Sequence, residues 1–231
     1  MVTFESQNYR SPVRSFVKRR TRTTLAQREA ITTLLPSYAV NMATDFEKSV
    51  EFGRSAPCWL EIGFGNGQAL LELAGRFPHV DFIGAEVHDP GVGRLLMGLQ
   101  EQALTNVRVH HGDVVDLLKE TIPDASLARI LLWFPDPWPK KRHHKRRLLG
   151  PEMAALLSAK LESEGVLHTA TDWEPYAEQM LEVLESESSL TNRHGEGQYA
   201  PDADVRPETR FEERGRKLGH GVWDLQFSRS G

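Results

Sequence analysis

The stretch CWLEIGFGNG at residues 58–67 decides the fold, because a short apolar run passes directly into three glycines at alternate positions. The run predicts a buried strand that ends in a tight turn, since glycine adopts backbone conformations closed to other residues and lets a ligand come close. A dinucleotide-binding turn needs G-x-G-x-x-G/A to seat a pyrophosphate, and here the sixth position is Gln68. The turn therefore favours a nucleoside without a diphosphate. A purely structural turn is the alternative.

Strands and helices alternate along the chain around this turn. Helical spacing extends up to Leu35, where Pro36 is expected to interrupt it. Further strands are predicted at 80–87, 106–113, 127–134 and 165–171, and helices at 68–77, 92–104, 114–120, 151–162 and 174–186. This alternation predicts an α/β fold with a parallel sheet covered on both faces, and the late strand at 222–229 is expected at an antiparallel edge.

The composition is that of an ordinary globular chain, with 231 residues, of which 39% are hydrophobic and 26% charged. No apolar run reaches the roughly 20 residues that cross a bilayer, and the basic N-terminus lacks the apolar centre of a secretion signal. We therefore expect a cytoplasmic protein that does not bind membranes. The single cysteine, Cys58, excludes an internal disulfide, and the nine histidines occur without the C-x-x-C or H-E-x-x-H spacing of metal ligands. No metal site is predicted.

Positive charge is concentrated in two segments of a chain whose net charge is −4. Residues 1–30 carry +5 and residues 140–147 carry +6, which leaves −15 on the remainder. This asymmetry favours a polyanionic partner bound at a defined place. A basic tail and a solvated helix start without a common role are the alternative. We divide the chain into a basic, flexible N-terminal arm at 1–35 and a single domain at 36–231.

Acidic residues stand at the ends of the next two predicted strands, where such sheets bind ligands. Glu86 lies about 20 residues beyond the glycines, a spacing at which a carboxylate accepts hydrogen bonds from ribose hydroxyls. Asp113 is placed to accept a hydrogen bond from an exocyclic amine such as that of adenine. The plainer alternatives are a chance glutamate at a strand end and an N-cap for the helix at 114–120.

The fourth strand runs into FPDPWPKKRHHKRR at residues 134–147. Three prolines restrict the backbone around Asp136, so this carboxylate is expected to be held rigidly and to orient a nucleobase. Trp138 offers a flat face on which a base could stack, and the cations that follow could grip phosphates. A stiff turn around a buried tryptophan is the alternative.

Together, Glu61 with the glycine turn, Glu86 and Asp113 resemble the cofactor site of class I S-adenosylmethionine-dependent methyltransferases. The resemblance implies a Rossmann-like, mostly parallel seven-stranded sheet with one antiparallel strand near the C-terminus. It also implies that Glu61 faces the methionine end of the cofactor, Glu86 the ribose and Asp113 the adenine.

The segments LEIGFGNG, GAEVH, FPDPWPKKRHHKRR, TDWEPYAEQM and ETRFEERG resemble, in order, the motifs of the bacterial tRNA (guanine-N(7)-)-methyltransferase family. The arm RSFVKRRTRTTLAQ is similar to the start of that family. The resemblance implies that the protein methylates guanine 46 in the variable loop of tRNA. The implied cofactor is S-adenosyl-L-methionine, and the implied partner is tRNA, for a monomer or homodimer.

The resemblance also implies three groups of site residues. The cofactor group is Glu61, Gly63, Gly65, Gly67, Glu86, Asp113 and Asp136, with Asp136 also the catalytic candidate. The substrate group is Lys140, Asp172, Thr209, Arg210, Phe211 and Glu212. The RNA-contacting group is Arg142, His143, His144, Lys145, Arg146 and Arg147. Asp172 has the alternative of capping the helix at 174–186, and residues 209–212 that of a polar helix edge.

The implied reaction requires no general base, because N7 of guanine has a free lone pair and no proton to lose. Asp136 is expected to orient guanine through its N–H groups and to favour the cationic product. Two alternatives stay open. One is methylation of an exocyclic base amine, since Asp-Pro-Trp-Pro resembles the loop of amine-directed methyltransferases, and the other is a non-catalytic RNA-binding relative.

Overall fold

The computed structural model describes residues 22–44, 46–207 and 221–231. Within these residues, seven strands form one sheet in the order β3-β2-β1-β4-β5-β7-β6. The strands are β1 Cys58–Ile62, β2 Asp81–Glu86, β3 Val107–His111, β4 Leu127–Trp133, β5 Leu161–Thr171, β6 Leu190–Asn192 and β7 Trp223–Arg229. Strands β1 to β5 are parallel, and β7 runs antiparallel to both of its neighbours. The predicted sheet with a late antiparallel strand is confirmed.

The strand order creates a switch point between β1 and β4. The chain moves outward from β1 through β2 to β3 and then returns to place β4 on the other side of β1. The parallel strands all end at the same edge of the sheet. In sheets of this kind, the connections leave β1 and β4 in opposite directions, which opens a crevice where ligands bind.

Helices cover both faces of the sheet. They are α1 Leu25–Tyr38, α2 Lys48–Phe52, α3 Gln68–Arg76, α4 Asp89–Glu101, α5 Val114–Glu120, α6 Pro151–Lys160 and α7 Glu174–Ser186, with a 3-10 helix at Lys141–Arg146. Apolar side chains of α1, α3 and α4 share one core cluster, and those of α5, α6 and α7 share the other. Burial on both faces explains why β1 and β2 are apolar almost throughout. Among the described residues, every helix is too short or too polar to cross a lipid bilayer.

The predicted alternation is confirmed, with shifts at the ends of some elements. Helix α7 occupies the predicted 174–186, whereas α4 begins at Asp89 rather than at residue 92, because Pro90 suits a first helical turn. Strand β5 begins at Leu161, so the preceding helix ends at Lys160 instead of residue 162. The short elements α2, β6 and the 3-10 helix were not predicted, since few residues give little periodicity.

Pro36 does not end α1, which continues to Tyr38. Proline removes one N–H donor and so costs the helix one hydrogen bond. The next turn still closes, since the N–H of Ala39 donates to the carbonyl oxygen of Leu35 at 2.7 Å. The helix also packs along α4, and such tertiary contacts supply most helix stability in proteins. The prediction that the helical pattern stops at Leu35 is therefore wrong.

The approach of α1 to α4 depends on a glycine. A Cβ added at Gly93 would lie 2.6 Å from the backbone oxygen of Gln27, so the two helices touch at this point. The side-chain amide of Gln27 also donates to the carbonyl oxygen of Pro90 at 3.2 Å. Residues 25–35 are thus packed against the sheet domain. Of the predicted arm at 1–35, residues 25–35 therefore belong to α1, and residues 1–21 lie outside the described residues.

Candidate active site

The turn after β1 has the conformation that its glycines permit. Gly63, Gly65 and Gly67 have φ values of +73°, +55° and +74°, in the left-handed region that other residues disfavour. A Cβ added at Gly63 or Gly65 would meet nothing within 4 Å, which leaves space for a ligand. At Gly67 it would lie 2.8 Å from Cβ of Leu95 on α4. The predicted tight turn is confirmed.

Glu86, at the end of β2, holds this turn in place. Its Oε2 accepts a hydrogen bond from the backbone N–H of Gly65 at 2.9 Å. Its Oε1 accepts from the backbone N–H groups of Val87 at 2.7 Å and His88 at 3.0 Å. The carboxylate is buried, so these hydrogen bonds fix its orientation. The residue expected to bind ribose therefore also fastens the glycine turn to the neighbouring strand.

Gly91 completes the contact between the turn and α4. A Cβ added at Gly91 would lie 2.0 Å from the carbonyl oxygen of Gly65 and 3.6 Å from Cγ of Glu86. No side chain fits at this distance. The sequence alone gives no reason to single out Gly91, because the contact joins two elements that are separated along the chain.

Glu61 is a buried carboxyl group beneath the turn. Burial above all, and the nearby charge of Glu86, raise the pKa of Glu61 to about 8. Its Oε2 has no hydrogen-bond partner among the described residues. A buried carboxyl oxygen without a partner is costly, so this arrangement suits a ligand that supplies one. An ammonium group would do so and would favour the ionised carboxylate.

A cleft opens at the switch point between β1 and β4. Its walls bring together four predicted site residues: Gly63, Glu86, Asp113 and Asp136. The remaining predicted cofactor residues, Glu61, Gly65 and Gly67, do not line it directly. The cleft encloses about 800 Å³ including its open mouth. Asp113 also accepts a hydrogen bond from the N–H of Val115 at 3.0 Å, so its predicted N-cap is confirmed.

The loop that carries Asp136 has an unusual backbone on both sides of this residue. Phe134 and Trp138 have φ values of +51° and +44°, which cost roughly 1 to 2 kcal/mol each for side-chain-bearing residues. The N–H of Phe134 donates to the carbonyl oxygen of Ala170 on β5 at 2.8 Å. Strain of this kind persists only where surrounding contacts enforce it, and it clusters at functional sites.

Trp138 is engaged by the basic segment that follows it. The guanidinium of Arg146 lies 5.1 Å from the centre of its indole, and the ring of His143 meets it edge-on at 5.8 Å. One face of the indole is therefore covered by a protein cation. Stacking of a base on Trp138 stays a prediction and would use the other face or require Arg146 to move.

The basic segment divides by exposure. Lys140, Lys141, Arg142 and Lys145 are exposed, and His143, His144 and Arg146 are half-buried. Arg147 is buried, with 7% exposure. The exposed cations fit the predicted phosphate contacts, whereas the burial of Arg147 speaks against a direct contact with RNA.

Asp172 is exposed at the end of β5. It does not cap α7, whose N-cap is Trp173 without a side-chain hydrogen bond. The hydroxyl of Thr171 accepts from the N–H of Trp173 instead, at 3.2 Å. The capping alternative for Asp172 is therefore wrong. The predicted substrate residues at 209–212 lie outside the described residues.

A buried polar network packs against Phe134, at the start of the loop that carries Asp136. Arg206 donates from Nε and Nη2 to the two carboxylate oxygens of Asp224 at 2.8 and 2.7 Å. A ring nitrogen of His168 lies 2.8 Å from the same carboxylate. The guanidinium of Arg206 also lies 5.2 Å from the ring centre of Phe134. No pattern in the sequence indicates this network, because its members come from separate segments. Across the part of the chain that the structure describes, no group of three or more His, Cys, Asp or Glu side chains is arranged to hold a metal ion.

The strand order, the glycine turn and the acidic cleft define an S-adenosylmethionine-dependent methyltransferase of class I. Residues 55–225 match a family model described as "Putative methyltransferase". The fold is similar to the crystal structure of the 16S rRNA methyltransferase KamB, with a TM-score of 0.57, 13% identity and coverage of 84% of this chain and 99% of that chain. It is also similar to the [4+2]-cyclase SpnF, with a TM-score of 0.53, 14% identity and coverage of 90% and 97%. These two likenesses concern the fold alone.

Sequence similarity is more specific. The tRNA (guanine-N(7)-)-methyltransferase of Idiomarina loihiensis is 53% identical over 95% of this chain and 90% of its own length. That of Methylococcus capsulatus is 51% identical over 94% of each chain. The chain belongs to the tRNA (guanine-N(7)-)-methyltransferase family.

Proposed function

We propose that this protein transfers the methyl group of S-adenosylmethionine to N7 of guanine 46 in the variable loop of tRNA. The observation that carries the proposal is the cleft at the switch point, where Asp136 shares walls with Gly63, Glu86 and Asp113. The names of the related proteins support the tRNA guanine-N7 reaction. We place the reaction in the cytoplasm, where tRNA is available.

The residues that line the cleft, together with Glu61 buried beside it, fit the cofactor. The unpaired oxygen of buried Glu61 would accept from the methionine ammonium group, and the Glu86 carboxylate would accept from the ribose hydroxyls. Asp113 would accept from the adenine amine with the oxygen lone pairs that its cap leaves available. When bound, the cofactor supplies an activated methyl group on a sulfonium.

Asp136 supplies orientation and charge rather than proton transfer. N7 of guanine attacks with its own lone pair, so the protein has no proton to remove. Asp136 would accept hydrogen bonds from the N–H groups of guanine and thereby aim N7 into the cleft. Methylation leaves a positive charge on the base, which a carboxylate fixed nearby stabilises as it develops. Asp172 would share the recognition of guanine from the end of β5.

The exposed cations of the basic segment would bind the phosphates of the tRNA. Lys140, Lys141, Arg142 and Lys145 follow the Asp136 loop directly, so phosphates held there bring their nucleotide to the cleft. Such contacts position the RNA without reading its sequence. The base itself is selected at Asp136.

The test is methyl transfer to defined RNA. The protein is incubated with methyl-labelled cofactor and an unmodified tRNA transcript, and the digested product is identified by nucleoside chromatography. We expect 7-methylguanosine, and no label on a matched transcript in which guanine 46 is replaced with adenine. Label on an exocyclic amine, or tRNA binding without transfer, would overturn the proposal in favour of one of the two alternatives.

A further inference from the structure

Arg147 differs from the other cations of the basic segment, although it is adjacent to them in sequence. It follows the 3-10 helix and is 7% exposed, whereas Lys141, Arg142 and Lys145 are exposed. Long cationic side chains are rarely buried unless the protein uses their donors. The guanidinium of Arg147 is therefore engaged by the protein itself.

Two separate elements hold this guanidinium. Its Nε donates a hydrogen bond to the carbonyl oxygen of Pro137 at 2.8 Å. Its Nη1 donates to the side-chain oxygen of Gln179 and, at 3.4 Å, to the carbonyl oxygen of Pro175, both on α7. The guanidinium carbon lies 4.6 Å from the ring centre of Tyr176, also on α7. Arg147 thus connects the loop after β4 to the first turns of α7.

Helix α7 is itself hydrogen-bonded to the segment that follows Arg147. The hydroxyl oxygen of Tyr176 accepts from the N–H of Leu149 at 3.2 Å, and the amide of Gln179 donates to the carbonyl oxygen of Leu149 at 3.3 Å. Burial first, and the negative charge of Asp136 to a smaller degree, raise the pKa of Tyr176 to about 12.

We propose that Arg147 is a positioning residue for methyl transfer, which keeps Asp136 at the cleft by fastening the neighbouring Pro137 carbonyl to α7. This inference rests on the proposed function of Asp136. It replaces the phosphate contact that the basic sequence predicts for Arg147, because two of its nitrogens donate to protein acceptors. The planar guanidinium suits the role, since it donates in two directions at once, whereas lysine offers a compact ammonium on a flexible stem.

The experiment compares Arg147→Lys with Lys145→Gln, which removes an exposed cation of the same segment. For Arg147→Lys we expect kcat of tRNA methylation to fall about 10- to 100-fold, with KM for tRNA changed less than about twofold. The salt dependence of tRNA binding should stay as in the wild type. For Lys145→Gln we expect a raised KM and a shallower salt dependence with kcat near that of the wild type. A raised KM with unchanged kcat in Arg147→Lys would overturn the proposal.

Two further variants separate positioning from general destabilisation. Gln179→Leu removes the side-chain acceptor of Arg147 on α7 without changing the basic segment, and it should lower kcat in the same direction. In an Asp136→Asn background, Arg147→Lys should cause little additional loss of kcat, because it acts through Asp136. An additional loss as large as in the wild type would show that Arg147 acts elsewhere.

Amide hydrogen exchange provides a readout that does not depend on activity. The amide of Phe134, which donates to the carbonyl oxygen of Ala170, should exchange faster in Arg147→Lys and Gln179→Leu than in the wild type, and at the wild-type rate in Lys145→Gln. Unchanged exchange in both Arg147→Lys and Gln179→Leu would refute the proposal that Arg147 fastens the loop to α7. Failure of the wild-type protein to methylate tRNA would instead refute the proposed function, and the exchange result would still decide whether Arg147 holds the loop.

Discussion

The backbone N–H of Gly65 donates a hydrogen bond to Oε2 of Glu86 at 2.9 Å, so the turn after β1 is fastened to the end of β2. The other oxygen of the same carboxylate accepts from Val87 and His88. A single side chain thus joins the glycine turn, the end of β2 and the two residues that follow β2. The residue that we propose to contact the ribose therefore also holds the glycine turn in place.

Replacing Glu86 with Gln should weaken the attachment of the glycine turn to the end of β2, because an amide has one acceptor oxygen where the carboxylate uses two. Hydrogen bonds to a charged group contribute about 1.5 to 3 kcal/mol each, so we expect cofactor affinity to fall about 10- to 100-fold. Titration calorimetry measures the change. Glu72→Gln, on the exposed face of α3, is the control and should bind as the wild type does. Equal losses in both variants would contradict the assignment.

Gly91→Ala should separate α4 from the glycine turn. The added methyl would lie 2.0 Å from the carbonyl oxygen of Gly65, so the turn must shift and cofactor affinity should fall by about tenfold or more. The control is Gly75→Ala on α3, where a Cβ meets nothing within 4 Å. That variant should be slightly more stable, by roughly 0.5 to 1 kcal/mol, with unchanged affinity. Wild-type affinity in Gly91→Ala would show that the close contact has no functional role.

Cofactor binding should release a proton from Glu61. Because its pKa is about 8, the Glu61 carboxyl group is mostly protonated at pH 7 in the protein without cofactor. Pairing with an ammonium group favours the ionised carboxylate instead. Affinity should therefore rise with pH between about 6 and 7, where an α-amino group with a pKa of about 7.7 to 8.0 is still mostly protonated. Calorimetry in two buffers of different ionisation enthalpy measures the release. Glu61→Gln should bind more weakly and show no such rise, and an unchanged pH profile in this variant would contradict the pairing.

Asp136→Asn should affect turnover far more than cofactor binding. The amide keeps the shape of the side chain but cannot stabilise the positive charge on the methylated base, so we expect methyl transfer to fall at least about 100-fold. Single-turnover kinetics on tRNA measure this loss, and calorimetry tests the cofactor. Asp116→Asn, exposed on α5, serves as the control. Turnover near that of the wild type would remove Asp136 from its catalytic role.

Asp224 should make stability sensitive to acid. Burial alone would raise its pKa, but hydrogen bonds from His168 and Arg206 outweigh this and lower the pKa below its usual 3.8. Because the pKa is lower in the folded state, the stabilisation is present above about pH 4 and is lost as pH falls through the folded value.

Asp224→Asn should therefore cost about 3 to 5 kcal/mol at pH 7, since it removes the negative charge from a buried ion pair with Arg206, and should unfold with a weaker dependence on pH below 4. Denaturant unfolding at pH 3.5 and pH 7 provides the measurement. The control is Asp204→Asn, which breaks a partly exposed pair with Arg129 and should cost at most about 1 kcal/mol. Similar losses in both variants would show that burial does not distinguish the two pairs.

Much of the fold followed from local chemistry. Apolar runs that end in glycine or proline located β1 and β4, because these residues restrict the backbone wherever they occur. The same signals located Asp136 and the acids at the strand ends, since parallel strands place their ends at one edge. Pro36 was misjudged for the complementary reason, because packing of α1 on α4 outweighed its local cost.

What the sequence determined was the alternation of strands and helices, the turn at Gly63 to Gly67 and the acids that meet in the cleft, because each depends on neighbouring residues and on a regular topology. Only the tertiary structure decided that Arg147 turns inward while Lys145 remains in solvent, that Arg206 finds Asp224, and that Gly91 touches Gly65. The direction of a long side chain depends on which element packs beside it, and adjacent cations in a sequence carry no record of that neighbour.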